Sequence, residues 1–186
     1  MSKIADAKIL IMSTHGFEQS ELFTPLEQLR QAGATVHVAT PDGASIKGWD
    51  KNDWGKSVEA DLKISDIRFE DYDALVLPGG QINPDILRTN DAAVGLVRDF
   101  VTGNKIVAAI CHAPWMLIEA GVVKGREMTS YHSIRTDLKN AGADVVDKAV
   151  ATSNGIITSR SPDDLDAFVA KIIEEVEEGD HQRDAA

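Results

Sequence analysis

The sequence predicts an α/β fold: a three-layer sandwich with a mostly parallel central sheet. Three observations carry that expectation. Apolar runs of strand length recur at residues 8–13, 74–77 and 106–110, as strands buried on both faces require. Segments with apolar residues at helical spacing alternate with these runs. The first strand, helix and second strand also form a βαβ unit, whose right-handed crossover favours a parallel pair.

Taken in order, residues 8–13 (Lys-Ile-Leu-Ile-Met-Ser) read as the first strand and 14–20 as a turn containing Gly16. A helix follows with Leu22, Phe23, Leu26 and Leu29 on one face. Pro25 either begins its regular part behind a Thr24 cap or kinks it. Gly33 closes this helix before an alternating strand at 35–39. From 41 to 66 the pattern weakens. Gly43, Gly48 and Gly55 punctuate it, Trp49 and Trp54 interrupt it, and residues 58–62 suggest a hairpin or excursion. The two tryptophans either pack on the main sheet or form a rim or subunit contact. Residues 50–55 superficially resemble a calcium loop, but Trp54 stands at a ligand position and excludes it.

The strand at 74–77 ends in Pro78-Gly79-Gly80, and a helix covers 91–101 with Val94, Val97 and Val101 facing inward. After the strand at 106–110, Pro114 suits a helix's first turn and Gly121 its stop. A short strand at 127–129, a helix at 133–140 and extended pieces at 144–146, 149–151 and 156–158 come next. The last helix is the clearest. Ser161 caps it, Pro162 starts it, Asp163 and Asp164 occupy its first turn, and Leu165, Phe168, Val169, Ile172, Ile173 and Val176 keep one stripe.

The 186 residues read as one domain over 1–178, followed by an acidic tail at 179–186 expected to fray. A composition 43% hydrophobic and 26% charged is that of a soluble globular chain. There is no apolar run of membrane-spanning length and no charged-then-apolar leader, so no membrane partner is expected. One cysteine cannot form an internal disulfide, and a cytoplasmic location is expected. The net charge of −11 disfavours a nucleic-acid partner. Neither a dinucleotide glycine fingerprint, a phosphate loop nor a zinc-helix pattern occurs, and no cofactor is expected.

The strand at 106–110 delivers that cysteine, Cys111, onto a tight turn before Pro114. A thiol there faces open space and feels the positive end of a helix dipole, which favours the thiolate. Ligands of parallel sheets bind beyond the carboxyl ends of the strands. That rule makes neighbours of residues 14–18, 78–85 and Cys111-His112. Each has a plainer alternative. Cys111 alone would be a small core residue; the strand–Cys–His–x–Pro–helix context favours a reactive one. His112 is either a partner of the thiol or satisfied by backbone. Glu18 is either a site carboxylate or a helix-start charge. Gly79 and Gly80 are either a tight turn or an oxyanion-stabilising pair of N–H groups. Asp85 follows Pro84 and fits a helix's first turn. His15, His112 and His132 lack diagnostic metal spacing, and no metal is expected.

Ala109-Ile-Cys111-His112-Ala-Pro114, Leu75-Val-Leu-Pro78-Gly-Gly80 and Phe17-Glu18-Gln-Ser-Glu21-Leu22 together resemble the PfpI family. This is the intracellular-protease-like and protein-deglycase-like branch of the class I glutamine-amidotransferase-like superfamily. The likeness extends through Gly125-Arg126, Thr129-Ser-Tyr131 and residues 158–165. It implies a flavodoxin-like sandwich, a nucleophilic Cys111 on a strained turn, Glu18 bonded to its sulfur and His112 as the following histidine. It further implies a carboxylate from a neighbouring subunit orienting that histidine, for which Asp85 stands where some relatives carry glutamate. Tyr131 matches a tyrosine near the site, whereas His15 departs from the family pattern. A homodimer or larger homo-oligomer is also implied.

Function then divides three ways. A stress-response cysteine hydrolase would attack dicarbonyls or early glycation adducts, on small carbonyl substrates or modified protein side chains. An intracellular cysteine peptidase would turn the same thiolate on an amide. A non-catalytic oxidative-stress sensor or chaperone would use Cys111 as an oxidisable group.

Overall fold

The structure is a computed structural model and describes residues 3–179; the acidic tail from residue 180 onward lies outside the described residues. Strand β1 (Lys8–Met12) is followed by α1 (Gln19–Gln31) and β2 (Thr35–Thr40). Next come β3 (Ile46–Asp50), β4 (Asp53–Val58) and the short β5 (Leu62–Lys63). β6 (Ala74–Leu77), α2 (Ile82–Leu87), α3 (Asp91–Thr102), β7 (Ile106–Ile110) and α4 (Pro114–Glu119) form the middle of the chain. The remainder is β8 (Glu127–Met128), α5 (Arg135–Asn140), β9 (Asp144–Val145), β10 (Val150–Ser153), β11 (Ile156–Ser159) and α6 (Leu165–Glu178).

Seven strands form the central sheet in the order β10-β11-β7-β6-β1-β2-β5. All pairs are parallel except β10 with β11. The α/β sandwich predicted from the apolar runs is therefore the fold. Side chains alternate between two cores along each strand. Ile9 and Ile11 of β1, Val76 of β6 and Ala108 and Ile110 of β7 face Leu22, Leu26 and Leu29 of α1 and Phe168 and Ile172 of α6. Leu10, Met12, Leu75, Leu77, Val107 and Ala109 face Val97 and Phe100 of α3 and Met116 and Leu117 of α4. Because β1, β6 and β7 are adjacent, the segments leaving their carboxyl ends are adjacent too.

Several local expectations are revised. Pro25 neither starts nor precedes α1; the helix begins six residues earlier at Gln19, with Glu18 accepting a hydrogen bond from the Glu21 N–H. The hairpin expected within residues 41–66 is β3–β4, which ends at Val58 where residues 58–62 begin, and its turn is carried by Lys51 at φ 57°. Trp49 and Trp54 pair across that hairpin, edge to face, with ring centroids 5.5 Å apart. Trp54 remains exposed, so neither ring packs on the main sheet as a core residue would. Ser161 makes no side-chain cap. A 3₁₀ turn over Pro162–Asp164 precedes α6, and Arg160 holds it by donating Nε to Asp164 Oδ2 at 2.8 Å and Nη2 to Oδ1 at 2.9 Å.

Phe168 is fully buried where α6 meets the sheet. Phe168→Ala is expected to lower the free energy of unfolding by about 3–5 kcal/mol, read by chemical denaturation. A loss below about 1 kcal/mol would contradict this packing.

Candidate active site

Three strand ends build one cavity. β7 ends at Ile110, and Cys111 turns the chain at φ 64°. A left-handed conformation costs a non-glycine residue roughly 1–2 kcal/mol, so it persists only where its surroundings enforce it. Here the Cys111 N–H donates to Ser159 O at 3.0 Å, and its carbonyl accepts from the Tyr131 N–H at 2.8 Å. The Ala113 N–H then closes the turn on Ile110 O at 3.0 Å, and α4 begins with Pro114.

The loop after β6 passes beside this elbow. A Cβ at Gly79 would meet Cys111 Cβ at 2.6 Å and Glu21 Oε2 at 2.4 Å, so only glycine fits. Gly80 is at φ 80°, and a Cβ there would strike the Glu18 N at 2.6 Å. Asn83, almost fully buried, ties the loops after β1 and β6 together. Its Oδ1 accepts from the Thr14 N–H at 2.8 Å, and its Nδ2 donates to Pro78 O at 2.8 Å.

The carboxyl beside the thiol belongs to Glu21, not Glu18. Glu21 is fully buried; its Oε2 accepts from the Gly79 N–H at 2.9 Å, and the carboxyl interacts with the Cys111 thiol. Glu18 instead caps α1. Its Oε2 accepts from the Glu21 N–H at 2.9 Å and from the Ser20 hydroxyl, while the residue lines the cavity wall. The family motif contains both glutamates, and helical geometry puts the second one inward. Burial, reinforced by the charge of Glu18, raises Glu21 from an ordinary 4.5 to about 8, so it holds its proton at neutral pH.

The Cys111 thiol is also pushed up, first by burial and then by the neighbouring Glu21 carboxyl. The N–H groups of Gly80 and His112 pull the other way. The helix-start argument for a preformed thiolate is thus outweighed: α4 has only six residues, and desolvation is the larger effect. Deprotonation needs a base, and one is adjacent. His112 Nδ1 lies 3.1 Å from Cys111 Sγ, and burial followed by His132 lowers the His112 pKa, which keeps the ring neutral. The other ring nitrogen, Nε2, lies 3.1 Å from Ser133 Oγ. Tyr131 stacks on the imidazole with centroids 4.7 Å apart, and Trp115 meets it edge-on at 5.2 Å.

The remaining expected residues divide. The Gly79 N–H is taken by Glu21, so only Gly80 of the glycine pair turns its N–H toward the sulfur; the second such donor is the His112 N–H. His15 is exposed, accepts from the Lys47 N–H at 3.1 Å and does not line the cavity. Asp85 is exposed on α2, and the ring nitrogens of His112 are met within the chain by Cys111 and Ser133. Sequence reasoning missed Glu21, Ser133 and Asn83. Glu21 had a signal: it sits in the same stripe as Leu22, Pro25 and Leu29, where a lone acid is out of place.

The cavity over the thiol has a volume of about 410 Å³ and is walled by Glu18, Gly80, Gln81, His112, Tyr131, Ser133 and Pro162. A second hollow of about 450 Å³ adjoins it, sharing Glu18 and Pro162 and extending along Phe23, Glu27, Asp50 and Lys56.

Comparison with known proteins matches the chain to one family. Residues 7–175 match the DJ-1/PfpI family. Deglycase TK1284 of Thermococcus kodakarensis is 41% identical over 89% of this chain and 97% of its own length. Protein/nucleic acid deglycase 2 of Escherichia coli is 41% identical over 87% of this chain and 92% of its own. The crystal structure of Drosophila melanogaster DJ-1beta superposes with a TM-score of 0.84 at 32% identity, covering 95% of this chain and 91% of that one. The chain belongs to the DJ-1/PfpI family.

Proposed function

We propose that the protein is a cysteine-dependent hydrolase of reactive dicarbonyls and of the early adducts they leave on other molecules. The observation that carries this reading is a thiol with a neutral imidazole nitrogen 3.1 Å away, at the floor of an open cavity. The deglycase names borne by relatives about 40% identical support the same substrate class.

The residues divide the chemistry as follows. Cys111 Sγ adds to an aldehyde carbon while its proton passes to His112 Nδ1, giving a hemithioacetal. The N–H groups of Gly80 and His112, directed at the sulfur, lie beside the carbon it attacks and stabilise the developing oxyanion. His112 then moves a proton from the former aldehyde carbon to the adjacent carbonyl carbon through an enediol, which leaves a thioester. Water hydrolyses the thioester to a hydroxy acid and returns the thiol. For methylglyoxal the sum is addition of one water to give lactate, with the aldehyde carbon oxidised and its neighbour reduced. Two adjoining hollows, together far larger than a free dicarbonyl, suit an adduct carried on a side chain.

A specific observation also supports oxidation sensing. Among the described residues Glu21 Oε1 is buried with no hydrogen-bond partner, and a protonated carboxyl there can donate to an oxidised sulfur. Amide hydrolysis would require the same thiol and imidazole acting on an unmodified peptide.

Lactate release from methylglyoxal and from a methylglyoxal-treated peptide separates these readings. Cys111→Ala is expected to fall to background, and His112→Ala to lose roughly 10²–10⁴-fold. Undiminished turnover in Cys111→Ala would sink the nucleophile assignment, and cleavage of an untreated peptide would favour peptidase chemistry. Intact mass after mild peroxide should show two oxygens on Cys111 if Glu21 shelters a sulfinate; an unchanged mass rejects the sensor role.

Glu21 also makes stability depend on pH. Unfolded it titrates near 4.5 and folded at about 8, so between these values the folded state holds a proton that the unfolded state has lost. Stability therefore falls as pH rises through that window. Glu21→Gln should gain on wild type by roughly 1 kcal/mol per pH unit from about pH 5 to about pH 8, measured by urea denaturation. Parallel stability curves for the two proteins would refute a raised Glu21 pKa.

A further inference from the structure

For Nδ1 of His112 to accept the thiol proton, that nitrogen must carry a lone pair. In a neutral imidazole the one N–H is then on Nε2, and it needs an acceptor. The group at that position is the hydroxyl of Ser133, with Oγ 3.1 Å from Nε2. We propose that Ser133 is a positioning residue that holds His112 in its Nε2–H tautomer, and so leaves Nδ1 free to take the proton of Cys111. Within this chain the group at Nε2 is a neutral hydroxyl, whereas family resemblance gives that histidine a carboxylate from a second subunit. The proposal rests on the hydrolase reading for its catalytic consequence, though not for the hydrogen bond itself.

The local chain explains how the serine is kept there. Tyr131 is anchored by its N–H on Cys111 O at 2.8 Å, and its ring stacks on the imidazole. A single 3₁₀ turn over His132–Ile134 follows, closed by the Ile134 N–H on Tyr131 O at 3.2 Å. Ile134 is buried, which pins the far end of the turn. Backbone, ring and hydroxyl from one short segment therefore hold the elbow, the plane of the base and its tautomer.

Within one chain, the groups around the imidazole leave Ser133 as the partner of Nε2. The titratable groups facing it are Cys111 on its own turn, Glu21 from α1 behind the thiol, and Tyr131 and His132 from the segment that carries Ser133. Arg88 lies over the Trp115 ring, 5.5 Å from its centroid, and Trp115 in turn meets the imidazole edge-on. Among the described residues no carboxylate bonds either ring nitrogen of His112. A hydroxyl that accepts from Nε2 leaves Nδ1 as the acceptor and places no negative charge at the ring, so it does not raise the ring's affinity for a second proton.

Long-range ¹H–¹⁵N spectra of histidine-labelled protein report the tautomer without substrate. Wild type and Ser133→Thr should show His112 protonated on Nε2, and Ser133→Ala a mixture of the two tautomers. With methylglyoxal as substrate, Ser133→Ala should lose about tenfold or more in kcat with KM unchanged, and Ser133→Thr should restore it. Ser133→Asp should move the acid limb of the kcat profile to higher pH, because a carboxylate at Nε2 favours the imidazolium. An unaltered tautomer and kcat in Ser133→Ala would overturn the proposal. So would a kcat loss in Asp85→Asn with Ser133→Ala at the wild-type value. If wild type releases no lactate, the hydrolase reading fails while the spectra still decide the role of Ser133.

Discussion

Everything at the site depends on Cys111 being held in a left-handed backbone conformation at the end of β7. In an extended strand the next side chain would have pointed into one of the two cores, as Ile110 and Ala109 do. The positive φ breaks that alternation and delivers the sulfur to the sheet edge, beneath a cavity. The strain is offset by two backbone hydrogen bonds to Cys111 itself, from β11 and from Tyr131, and by burial of the whole of β7. Gly79 is part of the same constraint, although its own φ is unremarkable. It is glycine because the elbow's Cβ and the Glu21 carboxyl leave no room for another atom.

Once the thiol is placed there, its proton follows from desolvation. A thiol and a carboxyl share a buried site, and each resists ionisation first because burial penalises charge; the charge of Glu18 adds to this for Glu21, and the Glu21 carboxyl adds to it for Cys111. The histidine is pushed the same way, toward its neutral form. Burial thus favours the neutral forms of thiol, imidazole and carboxylic acid alike. In the proposed reaction, charge appears when a carbonyl accepts the sulfur's electrons. At that moment a base stands 3.1 Å from the sulfur, and the Gly80 and His112 N–H groups face it. In that proposal the thiol is activated together with its substrate, whereas a helix-start thiolate would be reactive toward any electrophile.

The strands and their order of appearance were legible because each is a continuous apolar run between turn residues, and burial on both faces leaves no other pattern. The cysteine elbow was legible because strand, Cys-His and Pro114 stand in a row. Residues 41–66 were not, since the β3–β4 hairpin lies outside the main sheet and its Trp49–Trp54 pair is stabilised by mutual contact. Register there comes from a turn at Lys51, which has no glycine or asparagine at the positive-φ position. Ser133 was invisible for a different reason. Its importance arises from a contact between segments 21 residues apart, and no local periodicity encodes such a contact.

The two glutamates of α1 show why a motif match alone misassigned the carboxyl. They are three residues apart and chemically alike, and both line the cavity. Glu18 is outside the helix, at backbone angles of −64° and 123°, where its carboxyl can accept the orphan N–H of Glu21. Glu21 is one turn further on, where the helix turns the side chain from the rim to the sheet. The same side chain is thus a cap in one position and a buried acid beside the thiol in the other. Each depends on its neighbour: the cap fixes the first turn that aims Glu21 inward, and the charge of Glu18 helps keep the Glu21 proton in place. Exchanging their roles would place a capping carboxyl in the core and an unpaired N–H at the helix start, so the spacing of three is a structural requirement of the site.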